Sequence, residues 1–275
     1  MPLPIVDTRP YFSPLSREIA ALLRAARDEA WARPTLAGSW TVRDVVAHLI
    51  DTALRRVSLH RDAYRGAPGP RPDQDLVSFV NDLNASWVRA ARPLSPRVLR
   101  DLYARAGMEL AEFMETLDLD ATAFWPVSWA GEHQSRQWLD VGREFTEVWH
   151  HGSQIRDALG AGAFSHPQWL LAVLQIAIHA LPHAYRSVPG SRGAALLVRV
   201  TGAASGSWNL RRHEDGWVAD EGDIRDPSAI VTMSDEAAWR LFFNALSPSD
   251  ADALVGVEGD IALARPLLRA RSVIV

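Results

Sequence analysis

The apolar residues of this chain change their spacing part-way along, and that change limits the folds open to it. Up to about residue 186 they recur every three or four positions, the period of helices with one buried face. From residue 194 they alternate, in "AALLVRVTG", "SWNLRRH", "GWVADEG" and "AIVTMS", with glycine or Asp-Gly turns between. The sequence therefore predicts a two-domain protein: a helical bundle, then a smaller α+β domain with an antiparallel sheet. We place the domains at 1–162 and 163–275, dividing them in the linker-like "GAGAFSHP".

Within the first part, helices are expected over 14–32, over 41–64 and over about 73–92. A fourth follows from Ser95 to about 118 and a fifth from about Arg136 to Gly160. Thr41 and Asp44 make a helix-start signature, a capping hydroxyl with an acid near the positive helix end. "RGAPGPRP" stops that helix, and Gly160 can adopt the left-handed cap of the fifth. Further on, "PQWLLAVLQIAIHALPHAYR", "DEAAWRLFFNALS" and "IALARPLLRAR" read as helices and "ALVGVEGD" as a short strand.

Composition narrows the chemistry. There is no cysteine, so no disulfide and no thiolate of the chain's own. There is no lysine either, which excludes Schiff-base chemistry by a side-chain amine. A slightly negative net charge of -4 argues against a nucleic-acid partner. No apolar run is long enough to span a bilayer, and no signal-peptide pattern opens the chain. A cytoplasmic location is the expectation.

The fifth helix carries the residues that an amphipathic helix does not need. Val141, Phe145, Val148, Ile155 and Leu159 form an apolar stripe. Glu144, Glu147, His151 and Gln154 form a polar stripe beside it. His150 points well away from the apolar stripe and is expected to be peripheral. Glu147 and His151 are four residues apart, so their side chains meet on one face, the spacing by which one helix gives two ligands to one metal. The same pair also occurs on solvated helix faces. Glu144 is an alternative carboxylate, or an acceptor for a ligand imidazole. A third ligand is available on the second helix, where His48 lies at the margin of the core face made by Val42, Val45, Val46, Leu49, Ile50 and Ala53. Bundle cores are a common setting for such sites. Two imidazoles and one carboxylate would leave coordination positions open, as in catalytic centres.

"SWTVRDVVAHLID" resembles the second-helix signature of the DinB-like, YfiT-like metal-binding four-helix bundles, and "TEVWHHGSQIRDA" resembles their closing signature. Glutamate as the middle ligand is similar to the mycothiol-dependent maleylpyruvate isomerase branch. The C-terminal "WNLRRHEDGWVADEGDIRDPSAIVTMSDEAAWRLFFNAL" and "VGVEGDIALARPLL" resemble the sterol-carrier-protein-2-like domain that follows the bundle there. The resemblance implies a divalent metal held by His48, Glu147 and His151, with Gln154 in the next position of the motif. Zinc is the usual ion; nickel, iron and manganese suit the same ligands. It also implies a low-molecular-weight thiol cosubstrate such as mycothiol, and a small electrophilic substrate. Metal coordination would deprotonate that thiol, so the missing cysteine is supplied from outside. Arg55, Arg56, Arg143 and Arg240 are candidates to bind a carboxylated substrate, because the guanidinium fork matches a carboxylate. The expected activity is a thiol-dependent transferase or isomerase. Alternatives are metal-assisted hydrolysis, a non-catalytic small-molecule or lipid carrier, and a two-histidine, one-carboxylate iron oxygenase.

Overall fold

A computed structural model describes residues 1–66 and 69–269. In chain order the helices are α1 (Arg9–Ala25), α2 (Val42–Arg56), α3 (Leu76–Ala91), α4 (Pro96–Glu115), α5 (Gln137–Leu159), α6 (Pro167–Ile178) and α7 (Leu181–Ala184). Strands β1 (Ala195–Thr201), β2 (Gly206–Arg212), β3 (Trp217–Glu221) and β4 (Ala229–Ser234) follow. Then come α8 (Asp235–Phe242), α9 (Pro248–Leu254), β5 (Gly256–Gly259) and α10 (Ile261–Ala264). Packing divides the chain into two units. One holds Thr8–Asp118 and Glu147–Phe164; the other holds Met1–Asp7, Leu119–Thr146 and Ser165–Val275. The units interleave along the chain, and α5 gives its first half to one and its second half to the other.

In the first unit, α1 and α2 both pack on α4, and α3 lies against α2. Phe12, Leu15, Ile19, Val45, Val46, Leu49, Leu99, Leu110 and Met114 fill the space between them. Local chemistry sets the helix starts. Thr41 caps α2, with its backbone N–H and its hydroxyl both donating to Asp44 Oδ2 at 3.1 and 2.9 Å. Asp75 Oδ1 accepts from Ser78 N at the start of α3, and Ser95 caps α4 ahead of Pro96. Gly160, at φ +69°, ends α5 as its left-handed conformation permits.

The structure departs from the sequence pattern where proline decides. The expected 14–32 helix begins earlier, at Arg9, with Pro10 in its first turn. It tolerates Pro14 and stops at Ala25, because Ala26 and Arg27 turn extended; Asp28–Ala32 is a separate 3₁₀ turn. The helix expected over 167–186 breaks into α6 and α7. Pro182 cannot donate to a carbonyl one turn back, and it sits in the first turn of a new helix.

In the second unit a five-stranded sheet has the order β3-β2-β1-β4-β5. The expected antiparallel sheet is corrected to a mixed one. β1–β2, β2–β3 and β4–β5 are antiparallel, but β1 and β4 run parallel. Hairpin turns make only antiparallel neighbours; the connection from β1 to β4 contains β2 and β3 and can therefore return in the same direction. One face, with Leu196, Val198, Trp208, Leu210, Val231 and Met233, is buried, and α8 packs against β1 and β4. The expected 235–247 helix ends at Phe242. The "SPSD" that follows starts α9, where Ser247 Oγ accepts from Asp250 N at 3.1 Å. The last expected helix, over 261–271, is α10 and a 3₁₀ turn to Arg269; its final two residues lie outside those described. Among the described residues no helix is long and apolar enough to cross a membrane.

Candidate metal centre

Two helices of the first unit bring the candidate ligands together. His48 stands in the second turn of α2, and Glu147 and His151 stand one turn apart on α5. Their ligand atoms all lie within 4.8 Å of one another. Glu147 Oε1 faces both imidazoles, 3.3 Å from His48 Nε2 and 3.3 Å from His151 Nε2. These separations are long for N–H···O hydrogen bonds. They are short enough for one cation to be shared by the three side chains. The side chains of His48 and His151 are 4% and 9% exposed and that of Glu147 is 23% exposed, so the cluster opens toward the carboxylate.

Gln154 sharpens the donor set. Its Oε1 lies 2.7 Å from His151 Nδ1. A carbonyl oxygen only accepts, so with the amide in this orientation Nδ1 carries the hydrogen. In the neutral imidazole the Nε2 lone pair then points at a carboxylate oxygen. Two facing acceptors repel, so a second proton or a cation must lie between them. A ligand imidazole that donates its far N–H to a fixed acceptor is a recurrent feature of metal sites. His48 has no such acceptor: its Nδ1 is buried without a hydrogen-bond partner among the described residues. The ring of Trp40, the residue before the Thr41 cap, stands 5.0 Å from the His48 ring and 6.5 Å from the His151 ring.

The charge states suit ligation. Burial lowers the pKa of His48 against the opposing pull of the Glu147 carboxylate, so the ring is neutral at neutral pH. Burial alone would raise the Glu147 pKa. The neighbouring His151 and His48 imidazoles outweigh it and hold the carboxyl well below the ordinary range. A neutral imidazole and an ionised carboxylate are the forms a metal requires.

His150 corrects the sequence reading. It is 5% exposed rather than peripheral, and its Nδ1 is 4.0 Å from Glu147 Oε2. A helix buried on one face only would have left it in solvent. Here α5 is buried almost all round from Trp138 to Ile155. The scarcity of charge in "VWHHGSQI" was the available signal.

The other sequence candidates are not all brought to the cluster. Glu144 is buried, with Arg143 Nη2 3.8 Å away. Arg143 places Nη2 and Nε on Asp140 Oδ1 at 2.6 and 3.3 Å. Arg240 belongs to the second unit and turns Nε and Nη2 to Glu236 Oε1. Arg56 is fully buried at the end of α2. Arg55 contacts Asp51 and Asn84 within the first unit.

Comparison with known proteins places the chain in a family. Residues 12–156 match the family described as the mycothiol maleylpyruvate isomerase N-terminal domain. No curated protein matches the chain significantly in sequence. Two solved structures, of the mycothiol-dependent maleylpyruvate isomerase and of a histidine-to-alanine mutant of it, are similar in fold. Each aligns with a TM-score of 0.56 at 16% identity over 93% of this chain and 93% of the other. The family match spans more than half of the sequence, and on that ground the chain belongs to the family of mycothiol maleylpyruvate isomerase N-terminal domains.

Proposed function

We propose that this protein is a divalent-metal-dependent enzyme that uses a low-molecular-weight thiol of the mycothiol type on a small electrophilic substrate. The observation that carries the reading is the convergence of His48, Glu147 and His151 on one point, within a domain of this family. The donor set of two imidazoles and a carboxylate suits zinc, and also nickel, iron or manganese. When bound, such an ion supplies Lewis acidity that favours the thiolate over the thiol at neutral pH.

The residues of the chain supply the rest. His48 and Glu147 enter the site in the protonation states that ligation needs. Gln154 holds His151 in the tautomer that presents Nε2. The Trp40 ring stands beside the two imidazoles. The chain has no cysteine, so the sulfur nucleophile comes from the cosubstrate. Addition of that sulfur to an activated carbon–carbon double bond leaves a single bond that can rotate. Expulsion of the thiolate then gives an isomerised product, whereas protonation of the carbanion with the sulfur retained, by the proton the thiol gave up, gives a transfer product.

The test is metal content and thiol dependence together. Purified protein should hold about one equivalent of metal, and a His48→Ala, His151→Ala double variant almost none. Equal and negligible metal in both would remove the site. Turnover without thiol would point instead to a hydrolase of the same fold, with a metal-bound water as nucleophile.

A further inference from the structure

The two candidate ligand imidazoles are held by different means. His151 gives its Nδ1 hydrogen to Gln154 Oε1 at 2.7 Å. His48 has no counterpart to Gln154: its Nδ1 is buried without a hydrogen-bond partner among the described residues. The last torsion of a histidine side chain is broad, so without that second hydrogen bond packing must fix where Nε2 points. Two rings pack near it. The Trp40 indole lies 5.0 Å from the His48 ring, tilted by 50°, and the His151 ring lies 4.8 Å away, nearly edge-on at 78°. Both separations fall in the range at which aromatic rings attract.

The backbone that carries the indole is itself clamped. Trp40 precedes the Thr41 cap of α2, and residues 33–42 turn back on themselves there. Val42 N donates to Arg33 O at 3.0 Å, and Pro34 pairs with Thr41 in an isolated bridge. The Trp40 N–H donates to Ala37 O at 3.0 Å. Its carbonyl accepts twice from Thr35, from N at 3.0 Å and from Oγ1 at 2.7 Å. Capping α2 needs only Thr41 and Asp44. The bonds to Trp40 go beyond that cap and fix the point from which the indole reaches His48.

We propose that Trp40 is a positioning residue for His48, holding by ring packing the imidazole that no hydrogen bond holds from behind, and that Thr35 acts through Trp40. The proposal rests on the metal-centre reading, because the direction of Nε2 matters where its lone pair must meet an ion. The two supports differ in what they control. Gln154 selects both the rotation and the tautomer of His151, whereas an indole face sets rotation alone. The tautomer of His48 then follows from ligation, which takes the Nε2 lone pair and leaves the hydrogen on Nδ1.

The test reads zinc affinity by competition with a chelator, and ligand geometry from the visible absorption of cobalt(II)-loaded protein. Trp40→Leu should weaken zinc binding by about three- to tenfold, the worth of an aromatic pair, and should change the cobalt bands. Trp40→Phe, which keeps a ring, should restore part of both. Thr35→Val keeps the side-chain volume and removes the hydroxyl that bonds the Trp40 carbonyl. It should move both readouts in the same direction by less, and should have no further effect in a Trp40→Leu background. A merely structural role for Trp40 would lower stability in urea and leave the cobalt spectrum of the folded variant unchanged. An unchanged cobalt spectrum in folded Trp40→Leu, or an equal effect of Thr35→Val with and without Trp40, overturns the proposal. If Trp40→Leu does not fold, Thr35→Val, which leaves every ring in place, decides: an unchanged spectrum there overturns the proposal. Wild-type protein that binds neither zinc nor cobalt overturns the metal reading and the proposal with it, whereas wild-type binding with an unaltered Trp40→Leu overturns the proposal alone.

Discussion

The contact between Gln154 and His151 offers the sharpest test of the metal centre, because it changes no proposed ligand. In Gln154→Leu the side-chain volume is nearly kept and the acceptor 2.7 Å from His151 Nδ1 is lost. The imidazole is then free to place its hydrogen on Nε2, the atom that faces Glu147. Removing such a partner typically weakens metal binding about ten- to a hundredfold, or about 1.4–2.7 kcal/mol. With free zinc at a hundred times the wild-type Kd, the ion stabilises the wild-type fold by about 2.7 kcal/mol. A roughly thirtyfold loss of affinity leaves about 0.9 kcal/mol of that. Competition against a chromophoric zinc chelator measures the first quantity, and urea denaturation with and without zinc measures the second. Gln154→Glu keeps an acceptor and should bind zinc at least as tightly as wild type. If Gln154→Leu folds and binds zinc within twofold of wild type, the tautomer argument is wrong.

Four further outcomes follow from the geometry. Glu147→Ala should lose metal by elemental analysis while the fold, seen by circular dichroism, persists. Burial pushes the His179 imidazole down to about 4 from 6.5, so it stays neutral in the fold while the unfolded chain takes up a proton. The unfolded state then binds more protons between those values, and stability should fall by up to about 3 kcal/mol as pH drops from about 6.5 to about 4. Thermal denaturation across that range checks it, with His179→Phe, beside Trp138, flattening the curve. Gly259 has φ +79°, and an added Cβ would come 2.4 Å from the Ser228 carbonyl oxygen; Gly259→Ala should cost about 1–3 kcal/mol in urea unfolding. Thr41→Ala removes the hydroxyl cap of α2 and should cost about 1 kcal/mol by the same assay.

Much of the centre was legible in the sequence, because its information is local. The four-residue step from Glu147 to His151, and the three-residue step on to Gln154, are fixed by the helix period. The pairing of Thr41 with Asp44 states where α2 begins, and so which face His48 takes. His150 was misjudged because one helix seen alone suggests one buried face, and burial of α5 on nearly every side is a property of its neighbours. Arg55 could not be told from Arg143 or Arg240 by residue type. What separates them is which neighbours each guanidinium meets, and that depends on side chains brought in by folding.

By itself, then, the sequence determined the order of helices and strands, the candidate ligand residues on α2 and α5, and the lack of a cysteine nucleophile in the chain, all of which follow from short-range period and composition. Only the tertiary structure decided that His48 meets Glu147, that β1 and β4 run parallel, and that Asn84 reaches Arg55. Each joins residues far apart in the chain, and such pairings are set by the packing of whole elements rather than by any local pattern.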